Sequence, residues 1–215
     1  MTSTMLPSLE INSWSEKSLQ NLIIDISNVI SKPLILIDGV AGSGKTTFAI
    51  KIADTLKANL VHTDDVCWYA DIIHWDGEML DGIVKPWLNK KNIAYKPTGW
   101  IKHNRHGSID VDPNKALIIE GMDAGRKTLR EFATYSIWVD TEPAIARNRV
   151  IQRDLSNGEN GGTLESVTQF ADWWDSLVIP FLLEEEPWKY VDIIISDTHS
   201  DLILNNLMVY VPRVY

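Results

Sequence analysis

The run Gly39-Val-Ala-Gly-Ser-Gly-Lys-Thr46 meets the spacing G-x-x-x-x-G-K-[ST], and each residue type in it has a chemical reason to be there. Glycines let the main chain wrap so that several N–H groups point inward, which makes a cradle for phosphate oxygens. Lys45 then carries its ammonium to the β- and γ-phosphates of a nucleoside triphosphate, and the Thr46 hydroxyl is placed to ligate magnesium. The nucleotide-binding set this implies is Gly39, Val40, Ala41, Gly42, Ser43, Gly44, Lys45, Thr46 and Thr47. A glycine-rich turn with a solvated lysine is the bland alternative, and the flanking residues speak against it.

A cradle of this kind needs a strand leading in and a helix leading out. Leu34-Ile-Leu-Ile37 is a continuous apolar run ending at Asp38, as expected for a strand buried on both faces. After Gly44, the residues Phe48, Ile52 and Leu56 fall four apart, which predicts a helix to about Lys57. Asn59–His62, Ala116–Ile119, Ser136–Val139 and Val191–Ile195 read as four more short strands between helical segments. The fold class this predicts is α/β: a three-layer α/β/α phosphate-loop (P-loop) fold with a five-stranded parallel sheet. Ligands in such sheets bind beyond the carboxyl ends of the strands, where Asp38, Asp64, Asp65, Glu120 and Asp140 fall. Ahead of this core, Ser13-Trp-Ser-Glu16 has capping-box spacing, and Leu19, Leu22, Ile23, Ile26 and Ile30 recur at helical intervals up to Ser31. The division expected is an N-terminal helical extension over 1–33, packed on one domain spanning 34–215.

Absences narrow the class further. A GTPase guanine reader, Asn-Lys-x-Asp, is missing, because the only Asn-Lys, Asn89-Lys90, is followed by Lys91 and Asn92. The transporter-type Leu-Ser-Gly-Gly-Gln run is also missing. What remains is a small-molecule kinase, in which a second substrate is held in line with the γ-phosphate.

Four segments in order resemble the uridine kinase family and its relatives, phosphoribulokinase and bacterial pantothenate kinase. They are the phosphate loop, Thr63-Asp-Asp65 with Tyr69, Ile118-Ile-Glu-Gly121, and Arg147-Asn-Arg-Val-Ile-Gln-Arg-Asp154. Val178–Glu184 followed by Tyr190–Ile195 is similar to the family's closing helix and fifth strand, so the likeness spans about Leu34 to Ser196. It implies ATP and Mg2+ as ligands, with Lys45, Asp64, Arg149 and Arg153 as the catalytic set. Asp64 best matches the aspartate that takes the proton from the attacking hydroxyl, and a carboxylate facing the γ-phosphate can orient and partly deprotonate an alcohol. Asp65 is adjacent, so the two stand open to an exchange of roles, and an Asp-Asp pair capping the next segment is the structural reading. Glu120 matches a residue that helps hold magnesium with Thr46; an unpaired buried acid after Leu-Ile-Ile would otherwise be costly. Arg149 and Arg153 match arginines of a helical lid expected over about 147–175, with Ser156-Asn-Gly-Glu-Asn-Gly-Gly162 as its tip.

The segment of about 66–115 exceeds what a plain phosphate-loop core needs and is rich in Trp, His and Asp, which marks it as the place for an acceptor pocket. By the same resemblance Asp76 contacts ribose hydroxyls and His103 reads a base ring, with Asp65, Tyr69 and Trp100 completing the substrate set. The chain departs from the family at Thr98-Gly99-Trp100, where uridine kinases carry Tyr-Asp-Phe. Trp100 can stack on a substrate or belong to the core, as can Trp68, Trp75, Trp87 and Trp138. His62, His74, His106 and His199 lack metal-ligand spacing and read as structural or exposed.

Composition bounds the partners. Over 215 residues, 20 basic against 29 acidic side chains give a net charge of −9, which argues against a nucleic-acid binder. One cysteine, Cys67, excludes an internal disulfide, and no apolar run approaches the roughly eighteen residues a bilayer span needs. The expectation is a cytoplasmic ATP-dependent kinase for a hydroxyl of a nucleoside-like small molecule, partnered with neither nucleic acid nor membrane. Competing readings are a sugar, vitamin-precursor or nucleoside-monophosphate kinase, and a non-catalytic ATP-binding switch.

Overall fold

The computed structural model describes residues 6–11, 13–71, 73–201 and 206–212. A polar stretch near its start forms strand β1 (Ser15–Ser18), which leads straight into helix α1 (Leu19–Val29). The helix cap is therefore Ser18, whose side chain accepts from the Asn21 amide at 3.1 Å, and not the Ser13–Glu16 box that the spacing predicts. Those residues run extended because β1 finds an antiparallel partner near the other end of the chain, a long-range contact that spacing does not reveal.

Strand β2 (Leu34–Asp38) enters the phosphate loop and helix α2 (Lys45–Leu56) leaves it, followed by β3 (Asn59–His62) and the short α3 (Thr63–Cys67). The Trp-rich segment then forms α4 (Asp76–Met79), which runs through a π-helical turn at Leu80–Val84 into α5 (Lys85–Leu88). Next come β4 (Ile93–Tyr95), α6 (Thr98–Lys102) and β5 (Ile109–Val111), where β4 and β5 pair as a separate antiparallel ribbon. The core resumes with β6 (Leu117–Glu120), α7 (Lys127–Arg130), β7 (Tyr135–Asp140), α8 (Pro143–Asn157), α9 (Leu164–Glu185), β8 (Ile193–Asp201) and β9 (Asn206–Tyr210).

The main sheet has the order β1-β9-β8-β7-β2-β6-β3. Its five strands from β8 to β3 are parallel, as predicted, but β9 and β1 extend it antiparallel at the β8 edge, which makes seven strands in place of five. Strand β1 is short and polar and so lacks the continuous apolar run that marks β2 or β6, while β9 buries alternate residues, Leu207 and Val209, as an antiparallel strand covered on one face does.

Alternate residues of the parallel strands face two layers. Ile35, Ile37, Ile118, Ile137 and Val139 bury against Phe48, Ala49 and Ile52 of α2 and Leu22 and Ile26 of α1. On the other face, Leu34, Leu36, Leu117 and Ile119 meet Trp75, Met79, Ile83, Trp87, Trp100 and Val111 of the Trp-rich segment. Trp138 and Ile194 lie beneath Val178, Ile179 and Leu182 of α9. The chain thus has the three-layer α/β/α phosphate-loop architecture. No helix among the described residues is long and apolar enough to cross a membrane.

Candidate active site

The phosphate loop bridges β2 and α2 in a conformation that its glycines make accessible. Gly42 and Gly44 sit at φ 81° and 86°, in the left-handed region, and a Cβ on Gly42 would stand 2.1 Å from the Ala146 carbonyl oxygen of α8. Ser43 N–H donates to the Val40 carbonyl at 3.1 Å, which closes the turn, and Phe48 N–H donates to Gly44 at 3.1 Å as α2 begins. Lys45 Nζ donates to the Val40 carbonyl at 3.3 Å, so the ammonium is folded over the loop that it serves.

Parallel register brings the acidic strand ends to this loop. Glu120 ends β6 beside Ile37 of β2 and His62 of β3. The Thr46 hydroxyl lies 3.2 Å from both Glu120 carboxylate oxygens, so two residues 74 apart in sequence converge at the head of α2. His62 Nδ1 contacts the same carboxylate, and this hydrogen bond raises the pKa of the imidazole against the opposing effect of burial. Sequence reasoning passed over His62 because its significance lies in a cross-strand neighbour. Thr46 and Glu120 offer hard oxygen donors, and among the described residues no set of three or more His, Cys, Asp or Glu forms a cage of its own. That donor set fits Mg2+, which keeps several waters and is bound by one or two protein oxygens together with phosphates.

Asp38, at the end of β2, is buried and accepts N–H bonds from Gly39 at 2.7 Å, Asp123 at 2.9 Å and Gly125 at 2.9 Å. It fastens the start of the phosphate loop to the loop that follows Glu120. Burial pushes its carboxyl up to about 6, with the three N–H bonds and the Lys45 charge opposing.

The adjacent acids at the end of β3 differ in their surroundings. Asp65 pairs with Arg105 at 2.8 Å, its carbonyl accepts from Trp100 Nε1 at 2.8 Å, and the Arg105 guanidinium lies 3.8 Å from the Trp100 ring. Asp64 is exposed and lines a cleft with Cys67, Trp75, Met122, Asp123, Trp174 and Phe181. Burial pushes the Cys67 thiol up to about 12.

The remaining predicted substrate residues separate into three places. Trp100 is 6% exposed and belongs to the core beneath the Trp-rich segment, not to the cleft. Tyr69 is 64% exposed and stacks on His103 at 3.9 Å between ring centroids, a pair outside the cleft lining. Asp76 is held by Arg126 at 2.8 Å and by the Thr128 hydroxyl at 2.8 Å, and so ties α4 to the loop after β6.

In the expected lid, Arg149 reaches the phosphate loop: it pairs with Asp197 and lies 3.4 Å from the Gly42 carbonyl oxygen. Arg153 lies one turn further along α8, 58% exposed at its side chain, and pairs with its neighbour Asp154. Arg147 bridges α8 to α9 through Asp172 and Asp175. The glycine-rich tip closes α8 with left-handed Gly158, and Thr163 caps α9 by a capping box with Ser166. Of the tryptophan pair on α9, Trp174 lines the cleft while Trp173 is exposed.

A glycine cradle between a buried parallel strand and its helix, with a hydroxyl and a carboxylate meeting at the helix head, defines the phosphate-loop α/β/α class. The chain has the fold of the phosphate-loop kinases. A "putative fructose transport system kinase" from Silicibacter sp. TM1040 superimposes with a TM-score of 0.54 over 77% of this chain and 95% of that one, at 18% identity. A "possible uridine kinase" from Bacillus stearothermophilus aligns over 82% of this chain and 98% of its own, at 19% identity and a TM-score of 0.48. No family model and no curated protein matches the chain.

Proposed function

We propose that this protein is an ATP- and Mg2+-dependent phosphotransferase acting on a hydroxyl group of a small molecule. The observation that supports it most is the convergence of Thr46 and Glu120 at the head of α2, with Asp64 exposed at the end of the strand beyond β6. The loop from Gly39 to Thr47 binds the triphosphate through its main-chain N–H groups, and Lys45 neutralises the β- and γ-phosphates. Thr46 and Glu120 hold Mg2+, which when bound offsets phosphate charge as it spreads over the transferring group. Asp64 orients the acceptor hydroxyl and receives its proton, whereas Asp65, engaged by Arg105, is a positioning residue for α6 and the segment that follows it. Arg149 exchanges Asp197 for the triphosphate when the lid closes, and Arg153 follows on the same helix.

The acceptor is nucleoside-like by resemblance, with the exposed Tyr69–His103 stack as the platform for a base. A sugar acceptor is the second reading. It is favoured by a cleft walled by Trp75, Trp174 and Phe181, and by the described role of the fructose transport system kinase that shares the fold. Incubation of the purified protein with Mg-ATP and pooled nucleosides, sugars and vitamin precursors tests the proposal, with mass spectrometry for an added phosphate. Retention of bound ATP without phosphate transfer to any member of the pool would sink it in favour of a nucleotide-dependent switch.

A further inference from the structure

Asp123 lies three residues beyond Glu120 and belongs to none of the groups assigned above. It lines the same cleft as Asp64, yet the residue is only 5% exposed. One carboxylate oxygen, Oδ2, accepts from Arg126 Nε at 2.9 Å and from the same guanidinium's Nη2. The other, Oδ1, is buried with no hydrogen-bond partner. A buried polar oxygen left unmatched is costly, and native structures keep few of them without a reason.

The backbone at this position is also unusual. Asp123 has φ 67°, in the left-handed region that a non-glycine residue adopts at a cost, and its N–H is clamped to the buried Asp38 carboxylate. The Asp38 clamp on its N–H and the Arg126 pair on its carboxylate thus hold a strained residue in place beside the cleft.

The charges around it are equally specific. Arg126 is 4% exposed and is shared between Asp123 and Asp76, while its guanidinium lies 4.7 Å from the Trp75 ring and 5.0 Å from Phe181. Two carboxyl groups therefore use the one guanidinium, and no lysine or arginine is among the residues lining the cleft. Burial pushes the Asp123 carboxyl up to about 8, with Arg126 opposing. In its ionised form Oδ1 accepts a hydrogen bond; in its protonated form the carboxyl can also donate one. Neither form carries a positive charge to offset that of an anion.

We infer that Asp123 is an acceptor-binding residue, whose free Oδ1 pairs with a second hydroxyl or N–H of the phosphate acceptor, and that the cleft selects acceptors bearing no anionic group. This rests on the kinase reading and deepens it: Asp64 faces the reacting hydroxyl, Asp123 takes the second polar group, and Trp75, Trp174 and Phe181 enclose the apolar body. Nucleoside monophosphates, sugar phosphates and carboxylic acids are then excluded by charge.

The test is a matched panel with Mg-ATP: ribonucleosides beside their 5′-monophosphates, and free sugars beside their phosphates. Transfer confined to the uncharged members is expected. For an acceptor so found, Asp123→Asn should raise its KM by about tenfold or more and leave the KM for ATP nearly unchanged, since a mispaired buried polar group discriminates strongly. Preference for a phosphorylated member, or an unchanged acceptor KM in Asp123→Asn, overturns this inference while leaving the kinase reading intact. ATP binding without transfer to any member overturns both. The charge arm needs no variant, so preference for a phosphorylated member overturns the inference even if Asp123→Asn does not fold.

Discussion

The phosphate loop and the Trp-rich segment that follows β3 flank the same end of the sheet, and they are constructed on opposite principles. The loop is a main-chain device: its form follows from glycines at left-handed φ and from N–H bonds between residues three or four apart. The Trp-rich segment is a side-chain device, in which Trp75, Trp87 and Trp100 bury against Leu34, Leu36, Leu117 and Ile119 and cover the sheet where another helix would otherwise lie. Chemistry in the first is spread over a local run of residues. The second contributes Cys67 and Trp75 to the cleft, whose other walls come from outside it: Asp64 at the start of α3, Asp123 from the loop after β6 and Trp174 from α9. On the proposed kinase reading the loop serves the nucleotide and the cleft beside it serves the acceptor.

The contrast can be broken or sharpened by substitution. The largest effect is expected at the loop: Lys45→Ala should lower kcat by about a thousandfold and weaken ATP binding, because charge stabilisation at a transferring phosphoryl group is lost. Asp64→Ala should reduce turnover by about a hundredfold or more and spare ATP affinity in a titration, since proton removal and orientation are affected but the cradle is not. Equal loss of ATP binding in both variants would contradict the division of labour. Arg149→Ala comes next, with kcat falling by about tenfold to a hundredfold and the ATP Kd changing less, as steady-state and binding measurements can show.

On the acceptor side the expected losses pass from activity to stability. Trp100→Ala should cost about 3–5 kcal/mol in denaturant unfolding, as for a large core truncation, with the acceptor KM of the folded fraction unchanged. A rise in that KM would return Trp100 to the substrate pocket. Asp65→Ala is expected to have the smallest effect, about 1 kcal/mol or less from its half-exposed pair with Arg105, with turnover retained. Loss of turnover there, comparable to that in Asp64→Ala, would reverse the roles of the two acids.

How much of this could be read from the residues depended on the range of the interactions involved. The strand-loop-helix unit from Leu34 to Leu56 was plain, because its apolar run, glycines and helical period lie within one short stretch. The meeting of Thr46 with Glu120 was implied by the family resemblance, and parallel register allows it, because Glu120 ends β6 beside β2, whose loop leads into α2. The edge strand β1 and its neighbour β9 were hidden, since β1 forms against β9, with Ser15 194 residues from its partner Val209, and β9 in turn lies between β1 and β8. Arg147, Arg149 and Arg153 looked alike in sequence, yet they meet Asp172 and Asp175, Asp197, and Asp154 respectively.

Glycine torsions, a lysine beside a helix start and runs of aliphatic side chains act over a few residues, and they were enough to specify a nucleotide cradle on a parallel sheet. Which of two neighbouring aspartates stays free, which tryptophan is core, and where Asp123 Oδ1 comes to rest were settled by contacts across tens of residues, such as Arg105 with Asp65 and Asp123 with Asp38. Packing at that range depends on how whole segments cover one another, which no local run of residue types encodes.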